Sequence, residues 1–545
     1  MTIIDNVLDS EVLAQSEDAQ HEGNTLSAAG APIEKSSPLG YKVTLLSSVM
    51  LNIGQILGAG IYSVPGVIMN SVGSVGLLFV FWLLAPLFAL GGLMIYGEFA
   101  SMFPKRSGAE VVYLEQAYPR PQFMVPVMFA VTSVLLSFSA TNSIVFAQYA
   151  LTAFDVPITP GRQSIIAIAV CAVGMSFVAL STKWSLRAVN FLTGLKVLSL
   201  VFLVFTGALV LGGFTHISDP YANFRSPFSG STTNPNSLAT ALVKTNFAFA
   251  GWHNAFNVIG EVHTRDPVRT VRKAGLLSLL LVTCLFFFVN VAYVAAVPKD
   301  EIKNSGQLIA ALFFQRVYGE SFAAQTMPIM VALSCFGNII AVTVGQARVL
   351  REIARQGLLP YPRFFASTKP FGTPLGPVCL KYFLTVFVIV ALPARDAFNF
   401  LLDLSSYPNL VFNAATAIGL WLLRKRQALA GLAPSKYRAG NIYVSLYLLS
   451  AVFLLIMPWI PPEPGHSDVS FWYATYCVVG LGVLAVCGFY YWLWIIVLPW
   501  LGGYTIVEEV DRLEDGALTT RLTRKYHPSV ETVDNGEQQP LIAST

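Results

Sequence analysis

Two short stretches of this chain put glycine, alanine and aromatic residues where an apolar helix should run unbroken. The first is Gly54-Gln55-Ile56-Leu57-Gly58-Ala59-Gly60-Ile61, and the second is Phe247-Ala248-Phe249-Ala250-Gly251-Trp252. Glycine costs about 1 kcal/mol relative to alanine inside a helix. Unwound backbone is tolerated at membrane depth only where it lines a cavity or is buried in protein. A half-helix restarting near Gly60 presents N–H groups without intrahelical partners and the positive end of its dipole, a setting that suits a carboxylate without any arginine. The carbonyls freed around Gln55 and Ile56, joined by those of Phe247 and Ala250, suit an ammonium. Phe247, Phe249 and Trp252 can wall the space. Amides at one end and carbonyls at the other read the zwitterion of an α-amino acid. The alternative is that these glycines only permit close helix packing.

Charged residues inside apolar runs come next. Lys196 sits within Asn190-Phe191-Leu192-Thr193-Gly194-Leu195-Lys196. A charge at that depth is costly and usually faces a cavity. It can carry a proton, tie down carbonyls, or snorkel to the interface. Glu98 and Glu261 lie near helix ends, where Glu98 can pair with Arg106 or Arg348 and Glu261 with Lys273 or Arg272, as gating pairs or as solvated heads. His253 is either a titrating group or a satisfied buried histidine. Asn142, Asn338, Asp403 and Tyr407 can face the site or tie helices together. No carboxylate or arginine is placed beside the inferred pocket, which favours a neutral ligand with an apolar or thioether side chain.

The elements that must position these groups follow from composition. The 545 residues are 54% hydrophobic and 12% charged, with a mean hydropathy of +0.61, the profile of an all-α membrane protein. Stretches of about 20 apolar residues can each span a bilayer. Twelve are expected: 43–69, 75–99, 122–152, 163–181, 187–212, 238–261, 270–297, 323–353, 374–393, 397–423, 441–460 and 471–499. Those longer than about 25 residues imply tilt or a break. Segment 107–120 is expected as a short helix at the membrane surface, and a second short helix near Ser305 to Tyr318 as a lid or a plain surface element. Basic residues cluster on the even-numbered connections, from Lys105 and Arg106 to Lys436 and Arg438, which places both termini in the cytosol. The acidic first forty residues and the polar tail after Gly502 read as disordered. The six cysteines fall inside or at the edges of apolar segments and read as buried small hydrophobes. No His-Glu-x-x-His, nucleophile elbow in a suitable setting or phosphate-cradling loop is present, so enzyme chemistry is not indicated. No cofactor or metal is expected.

Gly58-Ala59-Gly60-Ile61-Tyr62-Ser63-Val64-Pro65 resembles the first-helix motif of the amino acid–polyamine–organocation superfamily. Tyr96-Gly97-Glu98 with Phe103 through Glu110 resembles its second-helix exit, Phe247 through Trp252 with Asn257 and Glu261 the sixth helix of L-type amino acid transporters, and Ser334 through Pro360 their eighth helix and exit. Asn254-Ala255-Phe256-Asn257-Val258, with Pro267 through Arg272, looks most like the fungal methionine permeases.

The resemblance implies twelve transmembrane helices in a LeuT-like five-plus-five inverted repeat with two added: tail 1–40, first repeat 41–213, outer loop 214–237, second repeat 238–423, added helices 424–500, tail 501–545. It implies alternating access by a plasma-membrane permease that imports neutral L-amino acids, most of all methionine, with a proton in symport. A sensing receptor or an uncoupled exchanger is the alternative. A lysine at position 196 takes the place of a sodium ion and braces the first helix. Ile56, Gly58, Ala59, Gly60, Ile61 and Asn338, with the sixth-helix residues, would bind substrate; Lys196, Glu98, Glu261 and His253 would serve coupling and gating. Here Ala59 replaces the usual serine, so the backbone must suffice for the carboxylate. The loop Phe154 to Arg162 lacks the cysteine that links relatives to a helper glycoprotein, so no disulfide-linked subunit is expected. Lys35 and Lys42 are candidate ubiquitin acceptors for endocytic machinery.

A bulky residue at Gly60 is expected to abolish amino acid binding by keeping the carboxylate off the backbone; unchanged uptake by such a variant would argue against the site.

Overall fold

The computed structural model describes residues 31–34, 37–305, 308–391, 394–461 and 472–526, without the side chains of 321–325 and 394–403. The described residues are mostly helical. In order come α1 (Leu45–Ile56), α2 (Gly60–Val72), α3 (Val75–Met102), α4 (Glu110–Ala117), α5 (Met124–Leu135), α6 (Ala140–Ala153), α7 (Pro160–Leu180) and α8 (Thr182–Leu211). Then follow α9 (Pro235–Ala248), a 3₁₀ segment Asn254–Glu261, α10 (Pro267–Ala296), α11 (Lys299–Asn304), α12 (Ile309–Tyr318) and α13 (Glu320–Arg355). The remainder are α14 (Pro362–Ala366), α15 (Leu375–Ala391), α16 (Ala394–Leu429), α17 (Asn441–Ile456), α18 (Thr475–Tyr491) and α19 (Leu498–Gly502).

Local chemistry sets many of the starts. Thr44, Thr159, Ser181, Asn234 and Asp266 each accept a backbone N–H as N-caps, and Pro160, Pro235 and Pro267 sit in the first turns they open. Among the described residues, eight helical stretches are long and apolar enough to cross a bilayer, and the bent pair α1–α2 makes a ninth. Shorter apolar helices, α12 and α15, accompany them. The protein is therefore an integral membrane protein. Its outward faces carry exposed Leu83, Phe191, Phe205, Leu280 and Phe387, as lipid contact requires.

Three of the expected spans are interrupted. The first breaks between α1 and α2 by a 41° bend. The sixth stops at Ala248 and resumes as the 3₁₀ segment. The third, expected as one run, divides at Leu136–Ser139 between α5 and α6.

Several expectations are corrected. The stretch after Gly502 is ordered over residues 504–526, where β1 (Tyr504–Arg512) pairs antiparallel with β2 (Leu518–Tyr526). The signal was available: β-favouring Tyr, Thr, Ile and Val flank an Asp515-Gly516 turn, and Gly516 has φ +82°. The hairpin docks on the end of α13, where Arg355 Nε donates to Leu518 O at 2.9 Å and the Leu518 N–H donates to Glu34 Oε1 at 3.2 Å. Asp515 accepts the Thr368 N–H at 2.6 Å. The amino-terminal tail is likewise ordered at Ala31 and Leu39, both buried, because Glu34 also receives Arg351 at 3.2 Å. Lys42 is exposed; Lys35 lies outside the described residues. Helix α4 does not lie on a surface: Val111, Val112, Tyr113 and Leu114 are all buried. Two cysteines, Cys284 and Cys379, are exposed on outward faces, and the other four are buried.

The acidic pairs also differ from expectation. Glu98, fully buried, accepts from Arg424 Nε at 2.8 Å, from Ser435 Oγ at 3.1 Å and from the Ala439 N–H at 2.6 Å. Arg106 instead joins Glu115 at 2.6 Å and Glu352 at 3.1 Å. Glu261 meets Arg348 through both oxygens, at 2.8 and 3.0 Å, with side chains 1% and 2% exposed. Arg272 is held over the Tyr437 ring and is not free for Glu261. Beside the Glu261 pair, Val43 and Val262 form a parallel bridge that ties the start of the first span to the end of the sixth. Removing one partner of a buried pair typically costs about 3–5 kcal/mol. Arg348→Met should lower thermal stability in detergent by that order, and adding Glu261→Gln should restore part of it; a purely additive double mutant would show that the two groups act independently.

Candidate functional site

The first break ends with Leu57 at φ −78°, ψ 85°, after which Gly58 donates to Ile56 O at 3.0 Å and helix geometry resumes at Ala59. In lipid every freed peptide group needs a partner; side chains from two other spans donate to the carbonyls, and one from a third accepts an N–H. Lys196 Nζ on α8 donates to Gly54 O at 3.0 Å and Leu57 O at 2.6 Å. Asn338 Nδ2 on α13 donates to Gln55 O at 2.5 Å, and Ser334 Oγ to Gly58 O at 3.0 Å. Asn142 on α6 donates to Asn338 Oδ1 at 3.0 Å and accepts the Ala59 N–H at 3.4 Å. Placing a lysine at helix centre costs about 2.5–3.5 kcal/mol on insertion scales; two hydrogen bonds from a charged donor return about 1.5–3 kcal/mol each. The ammonium can thus stay in place as a brace. The freed carbonyls of Gly54, Gln55 and Leu57 are met from within the chain before any ligand arrives.

Gly58 lies in tight packing. A Cβ there would lie 3.0 Å from Asn142 Oδ1 and 3.1 Å from Asn338 Nδ2, the two side chains that hold the break. Gly60 and Ile61 open α2, so their N–H groups point out of the helix end. A Cβ on Gly60 would meet the Ala248 backbone at 3.4 Å, so a bulky residue there also pushes α9 away.

The second break turns through Phe249 to His253. The Ala250 N–H donates to Phe247 O at 3.0 Å, and Gly251 adopts φ +119°, where a Cβ would fall 2.5 Å from Gln55 Cγ. Only glycine fits that conformation and approach. Phe249 is buried against Trp82 and Phe286, with ring centroids 5.8 and 5.3 Å away, and fills the side away from the basic connections. Trp252 packs edge-on against Tyr96 at 4.9 Å. Ala250 is exposed.

Both breaks line one cavity of about 430 Å³. Of the residues singled out from sequence, Ile56, Gly58, Ala59, Gly60, Phe247, Phe249, Ala250, Trp252, His253 and Asn338 all border it. Gly251 sits between two of these and packs on Gln55. Ile61, Lys196, Glu98 and Glu261 do not border it. Tyr407 donates to Leu455 O at 2.9 Å, away from the breaks, and the Asp403 side chain lies outside the described residues.

Sequence reasoning missed two groups. Lys381 on α15 is fully buried and donates to Ser137 O at 3.1 Å and to Gln346 Oε1, while Thr385 Oγ1 accepts the Ser139 N–H at 3.0 Å. It does for the third-span break what Lys196 does for the first. The rule that singled out Lys196, a lysine inside an apolar run, applies equally to Cys379-Leu380-Lys381-Tyr382. Glu110 was the second: contrary to expectation, a carboxylate does line the cavity, where its Oε1 accepts the Tyr96 hydroxyl at 2.6 Å.

Helix-broken spans enclosing a cavity of backbone dipoles define the class as a membrane permease. The chain belongs to the amino acid permease family, which it matches over residues 43–484. It is 33% identical to the high-affinity methionine permease of Saccharomyces cerevisiae across 90% of this chain and 86% of that one. The low-affinity methionine permease of the same yeast is 29% identical across 90% and 88%. The human cystine/glutamate transporter is 30% identical across 81% and 84%. The chain is accordingly a transporter-family protein and not an enzyme.

Lys196→Met leaves the Gly54 and Leu57 carbonyls without their ammonium. An unsatisfied buried acceptor costs about 1–3 kcal/mol, so substrate binding should weaken by about tenfold or more. Substrate-induced thermal shifts on the folded variant measure this; wild-type affinity would show the brace to be dispensable.

Proposed function

We propose that this protein is a secondary transporter that imports neutral L-amino acids, methionine foremost, by alternating access and with a proton, across the plasma membrane with both termini in the cytosol. The observation that carries this reading is the meeting of two unwound spans across one cavity. Their exposed dipoles suit the ends of an amino acid zwitterion: the start of α2 for the carboxylate, the sixth-span turn for the ammonium. No lysine or arginine lines the cavity among the described residues, and Glu110, its one lining carboxylate, is engaged by Tyr96. That disfavours acidic and basic side chains. Phe88, Phe249, Trp252 and Tyr447 surround the space, and a thioether packs well against aromatic rings. The relatives named as methionine permeases support the same choice.

A twelve-span architecture of two inverted five-helix repeats, 41–213 and 238–423, belongs to the same proposal. It is supported by the recurrence of a broken span at the start of each repeat. Coupling to a proton is supported by the ammonium of Lys196 standing on the break carbonyls, where a sodium ion would otherwise be needed.

Purified protein in liposomes should accumulate labelled methionine. Competition by each of the twenty amino acids should show displacement by methionine and other apolar residues, with lysine and glutamate ineffective. Binding without accumulation would favour a sensing receptor, and equal competition by charged amino acids would overturn the neutral specificity.

A further inference from the structure

The geometry points to Glu110 and His253 as the pair that carries the coupling proton. This inference rests on the proton-coupled reading above and assigns its site.

A transported proton must sit on a group that exchanges with water on one face of the membrane and then the other. Among the described residues lining the cavity, only Tyr96, Glu110, His253 and Tyr447 bear titratable side chains. The phenols ionise far above neutrality in ordinary settings, which leaves one carboxyl and one imidazole. The buried lysines are poor alternatives. Neither Lys196 nor Lys381 lines the cavity, and each donates to backbone carbonyls at a helix break. Taking a proton from either would leave a neutral amine that holds its carbonyls more weakly and has no direct path to cavity water.

Glu110 and His253 have the opposite character. Their side chains are 16% and 25% exposed, and His253 Nε2 lies 3.7 Å from Glu110 Oε1. His253 Nδ1 is buried without a hydrogen-bond partner. The ring is therefore not fixed by a second bond, and the Glu110 carboxylate is the charged group it faces. Among the described residues lining the cavity, the surrounding elements add no other ionised side chain. Helix α3 contributes Tyr96, α4 contributes Tyr113, and α17 contributes Tyr447; the 3₁₀ segment contributes the neutral Asn254 and Asn257. The basic groups nearby are already engaged: Arg106 with Glu115 and Glu352, Arg272 over Tyr437.

Position makes the pair mechanically useful. Glu110 opens α4, the link between the second and third spans, and His253 follows Trp252 within the second break. A proton placed on His253 Nε2 creates an imidazolium facing a carboxylate and draws α4 toward that break. Its departure to cavity water leaves a neutral ring, and the attraction lapses. One proton thus alters the force on the same turn that meets the substrate.

The test uses the full-length protein in liposomes, with labelled methionine, a trapped pH-sensitive dye, and counterflow exchange at equal pH. Wild type should accumulate methionine under an inward proton gradient and acidify the lumen. Glu110→Gln and His253→Gln should lose the acidification, and the ratio of gradient-driven accumulation to counterflow should fall by about 5–150-fold, the range of ordinary coupling free energies. A variant that still acidifies as wild type does overturns the assignment and leaves the proton-coupled reading intact. Wild type that neither follows the gradient nor acidifies removes both. Loss of counterflow together with accumulation in both variants also overturns the assignment, because the pair would then serve substrate binding or folding.

Discussion

The structure depends on one constraint: peptide groups released inside a bilayer must find partners within the protein. At the first break those partners are Lys196, Asn338 and Ser334, drawn from two other spans. Asn142 adds a third. The break is held open by side chains that have little freedom to do anything else, because each is itself buried or bonded. On the proposed reading, recognition of the substrate's main chain falls to what remains: the N–H groups that open α2 and the turn at Phe249 to His253. The cavity is polar through its backbone and through neutral hydroxyl and amide side chains, with aromatic rings beside them.

The same solution recurs at the third span, where Lys381 and Thr385 from α15 hold Ser137 and Ser139. This break places Asn142 on the first turn of α6, within reach of both Ala59 and Asn338. The two lysine-held breaks are therefore connected through one asparagine. A shift of α15 would be felt at the first span through α6, without any contact between α15 and the substrate region being needed.

The two central breaks were legible because glycine beside small and aromatic residues has few other uses in a long apolar run. The existence of many long apolar helices was legible for similar reasons of composition. Pairing was not. Glu98 and Glu261 read as gate residues from their helix-end positions, but choosing Arg424 and Arg348 over nearer candidates needs the relative rotation of distant helices, which no local pattern encodes. Lys381 and the Asp515-Gly516 hairpin were different in kind. Both carried ordinary signals, one a charge in an apolar run and the other a turn between β-favouring strands, and both were overshadowed by the label given to the surrounding segment. Glu110 shows a further limit: the first residue of a short amphipathic helix looks solvated until Tyr96 and His253 are found against it.

Lys196 has an electrical consequence beyond its hydrogen bonds. When protonated it sets a positive charge behind the first break, outside the cavity lining, with no carboxylate paired to it among the described residues. Moving one elementary charge through the whole membrane field involves about 2.3 kcal/mol per 100 mV. Any part of that path the lysine covers as the spans rock makes the cell's resting voltage favour one face of the empty carrier over the other. The residue that staples the backbone would then also act as a bias on which side the vacant protein waits.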